Sequence, residues 1–195
     1  NQLAKTDSIG KVGLFFNSLI NFSLNKKNKL IRNVISYITG IDVSATLPNF
    51  NKNSFKSIFK SVKDKFKHKK NYRDKVILFT SCYVNYNDSK IGEAIIGVLN
   101  KNKVYIEEYY SGCCKMPQLE QGKVVEVKKE AEKTARKLKD KINQGFKVIA
   151  PIASCALMLK THWPLLSPEN ENVQILSENT MDIDEYIGDL NNRRG

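Results

Sequence analysis

The sequence predicts an α/β fold: a parallel βαβαβ unit that carries all four cysteines, preceded by a basic helical N-terminal extension. Three observations predict it. Short apolar or β-rich runs at 75–80, 103–110 and 147–152 have the form of strands in a covered sheet. Amphipathic stretches at 89–102 and 118–145 separate them, and such alternation yields parallel strands with right-handed crossovers. Before residue 75 the apolar period is helical and the charge is one-sided.

Residues 9–39 read as two helices. Val12, Phe15, Phe16, Leu19 and Ile20 recur at helical spacing, followed by Leu30, Ile31, Val34, Ile35 and Ile38, with Gly40 placed as a C-cap. The stretch 41–54, with Pro48 and clustered Asn, is loop-like, and a third, very basic helix is expected from Phe55 to Lys67. "KVILFT" (75–80) is the first strand. "SKIGEAIIGVLNKN" (89–102) is a helix with Ile91, Ala94, Ile95 and Val98 expected to face inward. "KVYIEEYY" (103–110) is the second strand. Residues 118–145 form one long helix whose stripe is Val124, Val127, Ala131, Leu138 and Ile142, closed by Gly145. "KVIAPI" (147–152) is the third strand, and "MDIDEYIGDL" (181–190) is helical with an acidic first turn, as the helix dipole favours. The pattern changes at residue 75, so 1–74 is expected to be an extension and 75–195 the cysteine-bearing domain.

The 195 residues carry a net charge of +12, and its location matters more than its size. Residues 1–75 hold 16 Lys or Arg against 4 acidic residues, whereas 76–195 hold 16 of each. Such an excess is a solvated helix face and linker, or a surface for an anionic membrane or an acidic partner subunit. No zinc-finger spacing or RNP-like aromatic motif accompanies it, so nucleic-acid binding is not expected. No apolar run approaches the roughly 20 residues that span a bilayer. No Ser-His-Asp set, G-x-G-x-x-G or P-loop occurs, which leaves an independent hydrolase, nicotinamide or ATP site without support. The chain opens without an initiator Met, so a longer parent protein is expected.

The cysteines fall on a pattern. Cys82 lies just past the first strand, Cys113 and Cys114 follow the second, and Cys155 follows the third. In a parallel sheet those loops share the edge where open α/β folds bind ligands, so the four thiols should converge. An adjacent pair then makes sense as two ligands offered by one turn. Disulfides, a zinc site, an iron–sulfur cluster and inert buried thiols are all compatible with four cysteines there. Helix N-termini following the cysteines would stabilise an anionic cluster. Tyr83, Tyr109 and Tyr110 stand beside the thiols and could shield them from water; His162 and Trp163 are candidates for packing around them.

"FTSCYVNYNDSKIGEA", "YYSGCCKMPQLEQG" and "PIASCALMLKTHWPLL" resemble the cysteine-rich (CCG) domain found in heterodisulfide reductase and in the iron–sulfur component of anaerobic glycerol-3-phosphate dehydrogenase. "DSIGKVG" and "GIDVSATLPNFNKNSF" resemble the segment that precedes the domain in the latter group. The resemblance implies that Cys82, Cys113, Cys114 and Cys155 hold an iron–sulfur cluster of the 4Fe–4S kind. It implies an electron-transfer subunit that passes electrons from a flavin-containing dehydrogenase, acting on glycerol 3-phosphate or a 2-hydroxy acid, towards quinone. The expected location is cytoplasmic, peripheral on the inner membrane face. Two departures stand out: Lys115 replaces the Gly of Cys-Cys-Gly, and Met158 replaces the last Cys of C-x-x-C. Four thiolates rather than five weigh against the alternative, a heterodisulfide-reductase-like catalytic subunit. A metal-free or zinc-holding scaffold with a basic docking extension is the other alternative.

Overall fold

The strand Asp74–Phe79 (β1) is the axis of the molecule. The computed structural model describes residues 5–64 and 72–193. Among the described residues β1 lies between Val104–Tyr109 (β2) and Lys147–Ala150 (β3), and Thr180–Asp182 (β4) pairs on the far side of β3. All three pairings are parallel, with Val76 opposite Ile106 on one side and Lys147 on the other. The predicted α/β class and parallel sheet are therefore observed.

Alternation along β1 builds two cores. Ile77 and Phe79 enter one with Val127, Ala131, Leu138 and Trp163, while Val76 and Leu78 enter the other with Phe55, Leu99 and Tyr186. All are essentially inaccessible, so each large side chain contributes about 1.5–3 kcal/mol of hydrophobic stabilisation. Both faces are covered, which is why β1 reads as a continuous apolar run rather than an alternating one.

The helices follow in order. Thr6–Phe15 (α1), Asn17–Leu24 (α2) and Lys29–Thr39 (α3) replace the two helices predicted over 9–39. The first predicted helix breaks at Phe16 (φ −103°, ψ 26°), where the Asn17 side chain donates to the Leu14 carbonyl and competes with the helical ladder. Gly40 ends α3 in the left-handed conformation, as expected. Phe55–Val62 (α4) starts where predicted, capped by Ser54; the predicted end at Lys67 and the centre of the basic run lie outside the described residues.

Cys82–Tyr86 (α5) and Ser89–Lys101 (α6) follow β1. The buried stripe of α6 is Ile95, Ile96 and Leu99; Ala94 and Val98, predicted inward, are exposed, so the stripe is rotated by about one residue. The predicted helix 118–145 is two helices, Met116–Leu119 (α7) and Val124–Asn143 (α8), because Gly122 takes φ +72° and turns the chain between them. Val124 is exposed, whereas the rest of the predicted α8 stripe is buried.

Ala153–Leu157 (α9) follows β3 and runs through one π-helical turn, Met158–His162, into Trp163–Leu166 (α10). Glu171–Glu178 (α11) and Ile183–Asn192 (α12) flank β4. The helix predicted at 181–190 is α12, and its first two residues are instead the end of β4. Asp182 leaves that strand as the N-cap of α12 in a reciprocal capping box with Glu185.

Candidate metal centre

Each cysteine sits where a strand ends. Cys82 opens α5, held by the Ser81 hydroxyl, which accepts from the Val84 N–H at 3.1 Å. Cys155 lies inside α9, just past β3. Cys113 and Cys114 occupy the turn after β2, between Gly112 at φ +124° and Lys115 at φ +71°. β2, β1 and β3 are neighbours and parallel, so their C-terminal loops must meet, and the four thiols converge as the spacing predicted.

The sulfurs make contact in pairs. Cys82 Sγ lies 3.9 Å from Cys113 Sγ, and Cys155 Sγ lies 3.3 Å from Cys114 Sγ. Cys113, Cys114 and Cys155 are buried and Cys82 is partly so; none forms a disulfide. Hydrogen bonds from the Cys114 and Cys82 thiols outweigh burial and hold the Cys113 thiol below the usual thiol range. The Thr6 hydroxyl adds in the same direction, as does the Lys115 N–H at 3.4 Å. Hydrogen bonding to Cys113, with burial added, pushes Cys82 and Cys114 up.

Aromatic side chains close the pocket. Trp163 is fully buried, donates Nε1–H to the Cys114 carbonyl at 3.3 Å and meets Phe79 edge-on at 6.2 Å. Tyr109 packs on the same core and lies 6.1 Å from the Phe79 ring. Tyr83 is 42% exposed, so it does not shield the thiols as Tyr109 does. Met158 is fully buried in the same core. His162 is only partly buried, and Glu120 is exposed.

One carboxylate that the sequence did not single out completes the site. Asp7, in the first turn of α1, accepts the Cys113 backbone N–H at 3.0 Å through Oδ2 and the Tyr110 hydroxyl through Oδ1. No local signal marks Asp7, which is 106 residues from Cys113. Gly10 and Gly13, within an apolar helix, were the available hint of a close approach.

Among known proteins, the cysteine-rich domain family CCG matches residues 76–160, a span that contains all four cysteines. Over those residues the chain is similar to a CCG cysteine-rich domain. It is 26% identical over 175 residues to a subunit of anaerobic glycerol-3-phosphate dehydrogenase from two strains of Escherichia coli, covering 88% of this chain and 43% of that one. It is 28% identical over 118 residues to lactate utilization protein A of Bacillus licheniformis, covering 58% and 48% respectively. The chain thus spans less than half the length of these relatives. No solved structure matches it significantly.

The four thiols suit an iron–sulfur cluster in kind and number: soft sulfur donors, largely buried, from three adjacent loops. Among the described residues no three His, Cys, Asp or Glu side chains are disposed to hold a single metal ion. The helices at the cysteines are short, with five residues in α5, four in α7 and five in α9. Their dipoles are correspondingly small.

Proposed function

We propose that this chain is an iron–sulfur electron-transfer domain of a flavin-containing dehydrogenase, with Cys82, Cys113, Cys114 and Cys155 holding the cluster. The carrying observation is the meeting of four thiols from three strand ends within the segment that matches the CCG domain. One-electron uptake and release is the chemistry such a cluster supplies. The chain's own residues keep water out and fix the ligands. Trp163, Phe79 and Tyr109 wall the pocket, and the Trp163 indole orients the Cys114 backbone. The Lys115 N–H points at the Cys113 sulfur, a contact that favours the ligating thiolate.

Substrate oxidation belongs to a partner. The relatives' names point to glycerol 3-phosphate or lactate as the substrate class, with quinone as the proposed acceptor. The N-terminal helices have a surface suited to such a partner. Leu30, Val34, Tyr37 and Ile38 share one face of α3 and are between 58% and 93% exposed, with Lys26, Lys27 and Lys29 beside them. We assign this face to the dehydrogenase partner, at the inner surface of the cell membrane. No helix among the described residues is long and apolar enough to cross a membrane.

The test is anaerobic reconstitution with iron and sulfide, followed by metal and sulfide counts and EPR, on the wild type and on Cys113→Ser/Cys114→Ser. A brown wild type with stoichiometric iron and sulfide, and a colourless double variant, is the expected result. A colourless wild type overturns the assignment and favours the zinc or metal-free scaffold.

A further inference from the structure

Helix α1 is seated on the cysteine loop by two glycines. A Cβ at Gly10 would run into the Tyr86 ring, and one at Gly13 into the Phe50 ring. The helix therefore lies flat on two aromatic side chains. That contact sets its first turn over residues 110–114, where the Asp7 carboxylate meets the Cys113 amide and the Tyr110 hydroxyl.

The loop is shaped to receive this carboxylate. Gly112, at φ +124°, lies so close that a Cβ would stand 2.9 Å from Asp7 Oδ2. Tyr110 meets the Tyr86 ring edge-on at 5.8 Å. Burial first, then the hydrogen bond to Asp7, pushes the Tyr110 phenol up, so it stays a donor.

We propose that Asp7 is a positioning residue for the cysteine site: it anchors the Cys113 turn and imposes a fixed negative charge that lowers the reduction potential of the group held there. The potential half rests on the iron–sulfur reading; the anchoring half does not. Asp7 ties up the Cys113 N–H, leaving that donor unable to turn towards the sulfurs. A carboxylate beside an electron-accepting centre disfavours the added electron. The N-terminal helix is by this account part of the redox site, although it lies outside the 76–160 segment.

Asp7→Asn and Asp7→Ala separate the two roles. Asn keeps the size and an acceptor oxygen but removes the charge, whereas Ala removes both. A redox titration followed by EPR on the reconstituted proteins should show a more positive midpoint for Asp7→Asn than for wild type, at equal iron content. In the metal-free proteins, iodoacetamide labelling of Cys113 read by mass spectrometry should be several-fold faster in Asp7→Ala and near wild type in Asp7→Asn. An open cleft of about 480 Å³ lined by Asp7, Lys11, Tyr86 and Tyr110 gives the reagent access once the turn loosens. An unchanged midpoint in Asp7→Asn overturns the electrostatic role, and unchanged labelling in Asp7→Ala overturns the anchoring role. If the wild type takes up no iron, the functional assignment and the potential half fall together, and the labelling still decides the anchoring.

Discussion

The Trp163 indole donates to the carbonyl of Cys114 across a fully buried contact of 3.3 Å, tying the π-helical turn after Cys155 to the cysteine pair. Trp163→Phe removes the donor and part of the ring from a packed site. We expect a loss of about 2–4 kcal/mol, from a buried carbonyl left unpaired together with a residual cavity. Urea unfolding of the metal-free protein measures it, and slower cluster incorporation should accompany the loss.

Lys115 occupies the left-handed region at φ +71°, a conformation that costs an ordinary side chain about 1–2 kcal/mol. By resemblance, this is the Gly of the Cys-Cys-Gly pattern. Lys115→Gly should keep the N–H contact to Cys113 and raise stability by about 0.5–1 kcal/mol, because the unfolded-state entropy of Gly offsets part of the relief. A lower midpoint of chemical unfolding for the Gly variant would contradict this.

Two glycine-to-alanine changes should have opposite signs. Gly97 is exposed within α6 with nothing within 4 Å of a new Cβ, so Gly97→Ala should stabilise by about 0.5–1 kcal/mol. Gly10→Ala drives a methyl into the Tyr86 ring and should cost about 1–3 kcal/mol, with α1 displaced. Thermal unfolding of both variants checks the pair.

Asp74 should give the fold an acid-sensitive component. Burial pulls its carboxyl up, but Arg193 at 2.8 Å, the Lys75 N–H and the Tyr186 hydroxyl at 2.9 Å outweigh it and hold the carboxyl below its usual range. A depressed folded-state pKa means that the contribution is complete above the unfolded value of about 4 and is lost as the pH falls through the lower folded value. Asp74→Asn should therefore cost about 1 kcal/mol at pH 7, since Arg193 is half-exposed, and the gap to wild type should close as the pH falls below the ordinary carboxylate range. Stability measured from pH 2 to 7 tests the sign.

The α3 face should be adhesive when no partner covers it. Leu30 and Tyr37 are 84% and 93% exposed, so replacing both with Asp removes apolar surface without touching a core. The double variant should fold like wild type yet associate less in sedimentation velocity and co-purify less with a dehydrogenase partner. Unchanged association would place the docking surface elsewhere.

Periodicity and spacing reached far into the domain. β1, β2 and β3, the α6 and α8 segments and the left-handed Gly40 and Gly145 were legible because each follows from local chemistry: apolar runs, 3.6-residue stripes, glycine after a helix. The convergence of the cysteines was legible too, since parallel topology alone brings three strand ends to one edge. The matched family and relatives agree with the resemblance carried by those same stretches. The breaks were not legible. Phe16 and Gly122 divide predicted helices through a side-chain cap and a left-handed turn, and the α6 stripe turned by one residue because neighbouring elements decided which side met the core.

The sequence by itself determined that four thiols would share the ligand edge of a parallel sheet, and that the positive charge would lie ahead of it. Tertiary structure alone decided what faces those thiols. Asp7 reaches the Cys113 amide across 106 residues, Trp163 binds the Cys114 carbonyl across 49, and the apolar face of α3 remains uncovered. Local patterns report what a segment prefers. Contacts between distant segments depend on the sum of all those preferences, so they first become visible when the chain is folded.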